Sequence, residues 1–420
     1  MSVSTETLLQ APILSAALVR AGRNADRIDG VRPSVVVEPR SAEETASLLT
    51  WASRERLTVV VRGGGTKLGW GRLPTPIDLL VSTRRLNRVL AHAHADLTAE
   101  VEAGATLDEL NTALAQHRQW LPIDRAGDES TVGGAIATND AGPLRHRYGS
   151  PRDLLIGIRL ATTDGRVVKA GGNVVKNVAG YDLGKLVSGS FGSLAVVVSA
   201  TFKLLPIPAA SHTLSTTFAD ADTVAGVVAR LSESQLEPAC VELTARHARQ
   251  ESAPYRLLVR FATSPAAAAA QVEQARALVG DGELITGEAE TALWRRYQAR
   301  AAASAGTIVR LSWLPALLPQ VLALVDEIGD SNGTIELVAR AAVGTGLVRL
   351  GGGIDWQASI VERLRARTEV VTHVTMQDAP PEVKALVDAW GPFSPAAPVL
   401  SAIKRALDPS GTLNAGRGPI

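Results

Sequence analysis

Apolar positions in the first half of the chain fall into short runs separated by polar, glycine-bearing stretches. Residues 35–37 are a valine run. Ser41 follows as an N-cap with Glu44 three residues on, opening a helix through 46–52. A second run at 57–61 closes a strand–helix–strand unit over 33–61 and delivers the chain into a glycine loop. Residues 79–81 and the alternating 97–101 predict further strands, and Thr106 caps a short helix through 115. Loop signals crowd 120–142. Residues 154–162 and 166–169 read as a hairpin about a turn at 164–165. The strand-like stretch 193–205 is ended by Pro206 and Pro208, which mark a domain boundary.

Beyond the prolines the pattern changes to strands alternating with alanine-rich helices. Strands are predicted at 213–217, 239–243, 256–261, 307–311, 334–338, 346–350 and 369–373, and helices at 221–231, 265–279, 291–303, 314–328 and 356–367. This succession predicts two α+β units, a duplicated ferredoxin-like sandwich. A last helix at 398–407 leads into a polar loop at 408–417. The expected organisation is a first domain at 1–208, an α+β domain at 209–395 and a C-terminal segment at 396–420, α+β overall.

Composition narrows the function classes. With 420 residues, 46% hydrophobic and 20% charged, the chain has the make-up of a soluble globular protein. A formal net charge of +1 and 4% aromatics offer nucleic acid neither a basic field nor a stacking platform. Cys240 is the only cysteine, so neither an intrachain disulfide nor an iron–sulfur ligand set can form. Residues 1–20 lack the pattern of a signal peptide, and no apolar run reaches the roughly 18 residues of a membrane span. The expectation is a cytoplasmic protein, peripheral at the inner membrane only through partners. No G-x-G-x-x-G, H-E-x-x-H, G-x-S-x-G or C-x-x-C is present, and the seven histidines are scattered singly. His92, His94 and His117 read as solvated surface residues, and no metal is expected.

Three glycine-rich stretches remain. Arg62, Gly63, Gly64, Gly65, Thr66 and Lys67 end a strand, where successive N–H groups can form an anion-binding nest or the loop can simply be mobile. Ser130 and Thr131 open a short helix carrying Gly133, Gly134 and Thr138, suited either to a flat ligand or to tight helix–sheet packing. Lys176, Asn177, Gly180, Tyr181 and Asp182 lead through Gly189 and Gly192 to Val196 and Val197. Three such loops within 205 residues fit one extended dinucleotide with a pyrophosphate and a flat ring system.

RGGGTKLGWG at 62–71, STVGGAIATNDAG at 130–142 and KNVAGYDLGKLVSGSFGSLAVV at 176–197 resemble the FAD loops of the PCMH-type (vanillyl-alcohol oxidase) flavoprotein superfamily. Ile403-Lys404, Asp408-Pro409 and 413–417 resemble its closing motif. The narrower likeness, carried by KNVAGYDL and RGGGTKLGWG, is to the family of FAD-binding E subunits of bacterial glycolate oxidase. The resemblance implies that residues 62–67 hold the FAD pyrophosphate and that 130–138 and 140–142 line the ribityl and pyrophosphate region. It places 176–182 with Val196 and Val197 beside the adenine and isoalloxazine, and brings Asn414 to the flavin. Covalently flavinylated relatives use a histidine in the first loop and a cysteine in the second; this chain has neither, so the FAD is expected to be non-covalent.

The resemblance further implies oxidation of a small 2-hydroxy acid, such as glycolate or D-lactate, to the 2-oxo acid. It also implies a second flavin subunit and an iron–sulfur subunit as partners. Hydroxy-acid dehydrogenases of the superfamily carry a histidine-rich cluster in the second domain, whereas residues 209–400 hold only His212, His247 and His373. Arg310 and Arg349 could bind a carboxylate, with His373 or a tyrosine as base, although all three fit ordinary strand positions equally well.

Overall fold

The computed structural model describes residues 4–11, 13, 17–124, 127–172, 180–246, 254–302, 306–329, 331–392 and 395–419. Two compact units emerge: Met1–Ala141 with Ser150–Ile207 and Pro392–Ile420, and Gly142–Gly149 with Pro208–Gly391.

The first unit contains two sheets. After α1 (Thr5–Leu9), strands β1 (Leu18–Ala21), β2 (Val35–Glu38), β3 (Val59–Arg62) and β4 (Leu79–Ser82) form a sheet in the order β1-β2-β4-β3. Both β2 and β3 run parallel to β4, and α2 (Ala42–Arg54) makes the crossover, its first turn capped by Ser41 Oγ accepting from Glu44 N at 3.0 Å. Strands of a parallel sheet are buried on both faces and read as unbroken apolar runs. Accordingly Val35, Val37, Leu79 and Val81 enter a core with Leu48, Leu49 and Leu413, while Val36, Val60 and Leu80 pack against Ile28 and Ile77.

The chain continues through β5 (Val89–Ala93), β6 (Thr98–Glu102), α3 (Leu107–Ala115), β7 (Gln119–Trp120), α4 (Val132–Thr138), α5 (Arg145–Tyr148) and α6 (Pro151–Leu154). It then runs through β8 (Leu155–Ala161), β9 (Val167–Gly171), α7 (Leu183–Val187), β10 (Val196–Lys203) and β11 (Leu205–Pro206). Strands β5-β6-β10-β8-β9 make an antiparallel sheet, and β7 pairs with β11. The expected hairpin is β8–β9, registered from Ala161↔Val167 to Gly157↔Gly171.

The second unit holds one eight-stranded antiparallel sheet. Its first half is β12 (Ala210–Phe218), α8 (Ala221–Glu233), β13 (Cys240–Arg246), β14 (Tyr255–Thr263), α9 (Pro265–Val279) and β15 (Glu283–Thr286). After α10 (Gly287–Ala302) the second half repeats the succession: β16 (Thr307–Ser312), α11 (Leu318–Ile328), β17 (Gly333–Arg340), β18 (Thr345–Gly352), α12 (Ile354–Arg365) and β19 (His373–Asp378). The order β15-β12-β14-β13-β17-β18-β16-β19 is a ferredoxin-like 4-1-3-2 arrangement followed by its reverse, joined where β13 pairs with β17. The duplication therefore exists in the topology, where no residue-level repeat announces it. One core under helices α8, α9, α11 and α12 serves both halves, with Val241, Leu257, Leu337 and Val348 as central strand residues. Helix α13 (Pro381–Leu386) precedes the return of the chain to the first unit through α14 (Ala397–Leu407).

Two expectations are displaced. The segment Gly142–Gly149, expected in the first domain, packs with the second unit, where Arg147 Nη2 pairs with Glu237 at 2.9 Å. Residues 369–373 do not form a strand: Val370 and Val371 both donate backbone N–H to Arg367 O in a turn that buries the two valines, and β19 starts at His373. A pair of adjacent valines is apolar enough to read as a strand, but here the helix end it closes supplies the burial.

Candidate functional site

The glycine loop leaves the C-terminal end of β3. Arg62 points away from it, pairing through Nη1 with Asp26 at 2.9 Å, and Arg20 takes the same carboxylate at 2.5 and 2.8 Å. Arg20, the Arg23 backbone N–H and Arg62 together hold the Asp26 carboxyl well below the usual carboxylate range, against the desolvation that opposes ionisation. This buried cluster fixes the root of the loop.

The next residues pass so close to 129–131 that no side chain fits. A Cβ on Gly64 would lie 1.6 Å from Glu129 O, and one on Gly63 2.1 Å from Thr131 Oγ1. Among the described residues, nothing accepts a hydrogen bond from the backbone N–H groups of Gly63, Gly64, Gly65 or Thr66. Lys67 follows, its Nζ held by Asp140 at 3.1 Å and Thr138 Oγ1 at 3.3 Å and lying 5.3 Å from the centre of the Trp70 ring.

Opposite lies α4. Its N-cap Thr131 accepts from Gly134 N, Val132 N donates to Ala105 O, and Gly133 N donates to Ala103 O at 2.7 Å. Gly133 thus serves helix–sheet packing, the blander of its two readings, while Gly134 borders open space.

The C-terminal segment closes the third side. Val59 N donates to Thr412 O at 2.9 Å and Asn414 N to Val59 O at 2.7 Å, extending the free edge of β3. A charge pair holds this segment in place: Lys404 Nζ donates to Asp408, to Ser193 O at 2.7 Å and to Leu413 O at 2.9 Å, while the fully buried Asp408 accepts from the Thr412 and Leu413 amides. Asn414, at φ +52°, donates its side-chain amide to Phe191 O at 2.7 Å, leaving its buried Oδ1 without a partner.

These pieces border a cleft of about 80 Å³ within the first unit, lined by Arg62, Gly63, Gly64, Gly65, Thr66, Lys67, Ser130, Thr131, Gly134, Thr138 and Asn414 of the expected residues. Adjoining space is lined by Gly63, Gly133, Gly134, Val196 and Val197. Ala137, within the expected 130–138, lines the cleft too, and so do Leu68, Trp70, Phe191 and Arg417, which sequence reasoning did not single out. The signal for Trp70 was its place inside RGGGTKLGWG. Gly180, Tyr181 and Asp182 lie elsewhere: Tyr181 is 93% exposed, and Asp182 caps α7 by accepting from Lys185 N at 3.0 Å. Lys176 and Asn177 fall outside the described residues.

The cleft fits a dinucleotide phosphate chemically, because neighbouring unpartnered amides at a strand end present partial positive charge where an anion can approach. An unpartnered carbonyl oxygen on Asn414 adds an acceptor for a ring N–H.

The comparisons agree. A family model described as "FAD binding domain" matches residues 33–171. D-2-hydroxyglutarate dehydrogenase of Xanthomonas citri pv. viticola is 30% identical over 338 residues, covering 74% of this chain and 72% of that protein. The chain belongs to the PCMH-type FAD-binding flavoprotein family. Its cofactor is FAD. Glycolate oxidase subunit GlcD of Bacillus subtilis is 34% identical over 211 residues, half of this chain and 45% of that protein, so the chain matches less than half of that relative's length. Glycolate oxidase subunit GlcE of Escherichia coli is 29% identical over 377 residues, 87% of this chain and 94% of that protein. A solved alkyldihydroxyacetonephosphate synthase shares the family fold, with a TM-score of 0.70 at 15% identity over 98% of this chain and 85% of that one.

In the second unit, the strand face opposite α8, α9, α11 and α12, against which α10 packs, carries the remaining candidates. Arg349 lines a cavity of about 580 Å³ together with Arg256, Arg296, Glu283 and Tyr297. Glu336 pairs with Arg349 at 3.2 Å, and Arg256 donates to Ser215 Oγ at 2.9 Å. Tyr297 donates to Glu242 at 2.6 Å, and burial pushes its hydroxyl well above the ordinary tyrosine range. Arg310 and His373 do not line this cavity; His373 is exposed beside Thr372. Among the described residues, no helix is long and apolar enough to cross a membrane.

Proposed function

We propose that this chain is the FAD-binding subunit of a glycolate-oxidase-like complex oxidising a 2-hydroxy acid to the 2-oxo acid, with a second flavin subunit and an iron–sulfur subunit as partners. The observation that carries the reading is the cleft with its row of unpartnered amides, in a chain matching GlcE over 94% of that subunit's length. On this reading the Gly63–Thr66 amides hold the pyrophosphate, Thr138 and Ser130 border the ribityl chain, and Val196, Val197 and Phe191 give the ring system an apolar wall. Lys67, neutralised by Asp140, stiffens the loop and adds little net charge to the phosphate. Asn414 is positioned by Phe191 O and presents its free oxygen to the ring. Bound FAD supplies two-electron redox chemistry; the protein supplies binding, orientation and tuning. The site is cytoplasmic or peripheral at the inner membrane through partners.

The arginine-lined cavity favours a second reading, a self-sufficient dehydrogenase in which Arg349 or Arg256 holds the substrate carboxylate. A third, an assembly subunit with a vestigial flavin site, is disfavoured by the intact amide row. Anaerobic mixing of the purified chain with glycolate, D-lactate or 2-hydroxyglutarate separates them: flavin absorbance should persist for the chain alone and bleach once the partner subunits are added. Bleaching by the chain alone would establish the second reading, and an apoprotein that rejects FAD the third.

A further inference from the structure

Three of the seven histidines, widely separated from the cleft lining in sequence and role, come together at the edge of the second sheet. His92 lies in edge strand β5, and His94 opens the single 3-10 turn His94–Asp96 that follows the strand. His117 arrives from the turn after α3, where Arg118 adopts φ +57° and reverses the chain. Ring centres are 6.2 Å apart for His92–His94, 5.1 Å for His92–His117 and 4.5 Å for His94–His117. Three imidazoles bonded to one tetrahedral ion at about 2.0–2.1 Å have centres roughly 5 Å apart, so the cluster has the right size.

A buried glutamine organises it. Gln119 is 7% exposed; its Nε2 donates to His94 O at 2.7 Å, which fixes the amide and leaves Oε1 facing His92 Nε2 at 2.8 Å. Since Oε1 can only accept, His92 Nε2 carries the hydrogen and Nδ1 keeps its lone pair. An outer-shell oxygen that accepts the other ring N–H and sets the tautomer is the usual support of a metal-ligating histidine, and the Gln119 amide oxygen stands in that place. In the observed rotamers the His94 and His117 rings are stacked at 14°, and among the described residues no group of three or more His, Cys, Asp or Glu side chains is placed to hold a metal ion, so the site requires two rings to turn. Both rings are exposed, so they can turn about their side-chain torsions without repacking a core.

We propose that His92, His94 and His117 form a surface site for a late first-row divalent cation, Zn²⁺ in the first instance, with water completing the shell. The ion ties the end of β5 to the α3–β7 turn and is independent of the flavin cleft. The test is calorimetric titration of the FAD-loaded full chain with Zn²⁺. Saturable binding of one ion per chain is expected, weakened at least tenfold in His117→Ala and lost in His92→Ala/His94→Ala, with flavin content unchanged. Melting temperature should rise with Zn²⁺ in the natural chain and not in the double variant. Affinity should fall on acidification, because protons compete for the same lone pairs. No saturable binding, or equal binding by the natural chain and the double variant, would overturn the proposal.

Discussion

The cleft proposed for the flavin and the arginine cavity are built in opposite ways. The cleft is made of backbone: its donors are the amides of consecutive residues 63–66, and side chains such as Arg62 and Lys67 are turned to internal partners. The cavity is made of side chains from β14, β18 and α10, with Arg256, Arg349 and Arg296 converging from distant parts of the sequence. A backbone site needs a local conformation and therefore leaves a short contiguous motif. A side-chain site needs only that the fold bring groups together, and it can change occupant without changing fold.

Breaking the backbone site should have the largest effect. Gly64→Asp places a side chain where Glu129 O lies 1.6 Å from an ideal Cβ and adds charge to the amide row. Flavin-to-protein absorbance should fall to near zero while the second unit keeps its circular-dichroism signal; natural flavin occupancy would refute the cradle. Asp408→Asn leaves Lys404 without its buried partner and loosens the 412–414 segment. A loss of about 3 kcal/mol by urea unfolding is expected, with weaker FAD retention.

Asp26→Asn should cost a similar amount at neutral pH, with a pH signature. Because the folded carboxyl lies below its ordinary value, the stabilisation is complete above about pH 4 and lost as pH falls toward the depressed value. The stability gap between natural protein and variant should therefore close on acidification; a gap independent of pH would refute the ion-pair account. The smallest effect tests the side-chain site: Arg349→Gln should leave flavin content untouched. If the cavity takes the substrate carboxylate, KM should rise about tenfold, the worth of one charge-assisted hydrogen bond of 1.5–3 kcal/mol discounted for its exposure.

The contrast also explains what was legible in the sequence. The 33–61 unit, its Ser41 cap and the loop at 62–67 were readable because each depends on neighbours within a few residues. The alternation of strands and helices after Pro208 indicated a doubled α+β domain, but the pairing of β13 with β17 that fuses the halves is a contact between residues about ninety apart. Val370 and Val371 misled because burial in a turn and burial in a strand need the same side chains. Phe191 and Arg417 were missed since their place in the cleft follows from chain return, and the histidines looked solitary because 92–94 and 117 meet only across a turn.

The pairing of Thr412 and Asn414 with Val59 has a consequence for biosynthesis. A ribosome releases residues 33–208 early, yet the third wall of the cleft is made only after the whole of Pro208–Gly391. The second unit, Gly142–Gly149 with Pro208–Gly391, is synthesised in full while the first still lacks its closing strand. On the proposed site, flavin capture waits until residues 412–414 have been made, and a chain truncated before residue 412 should carry no closed seat for the cofactor.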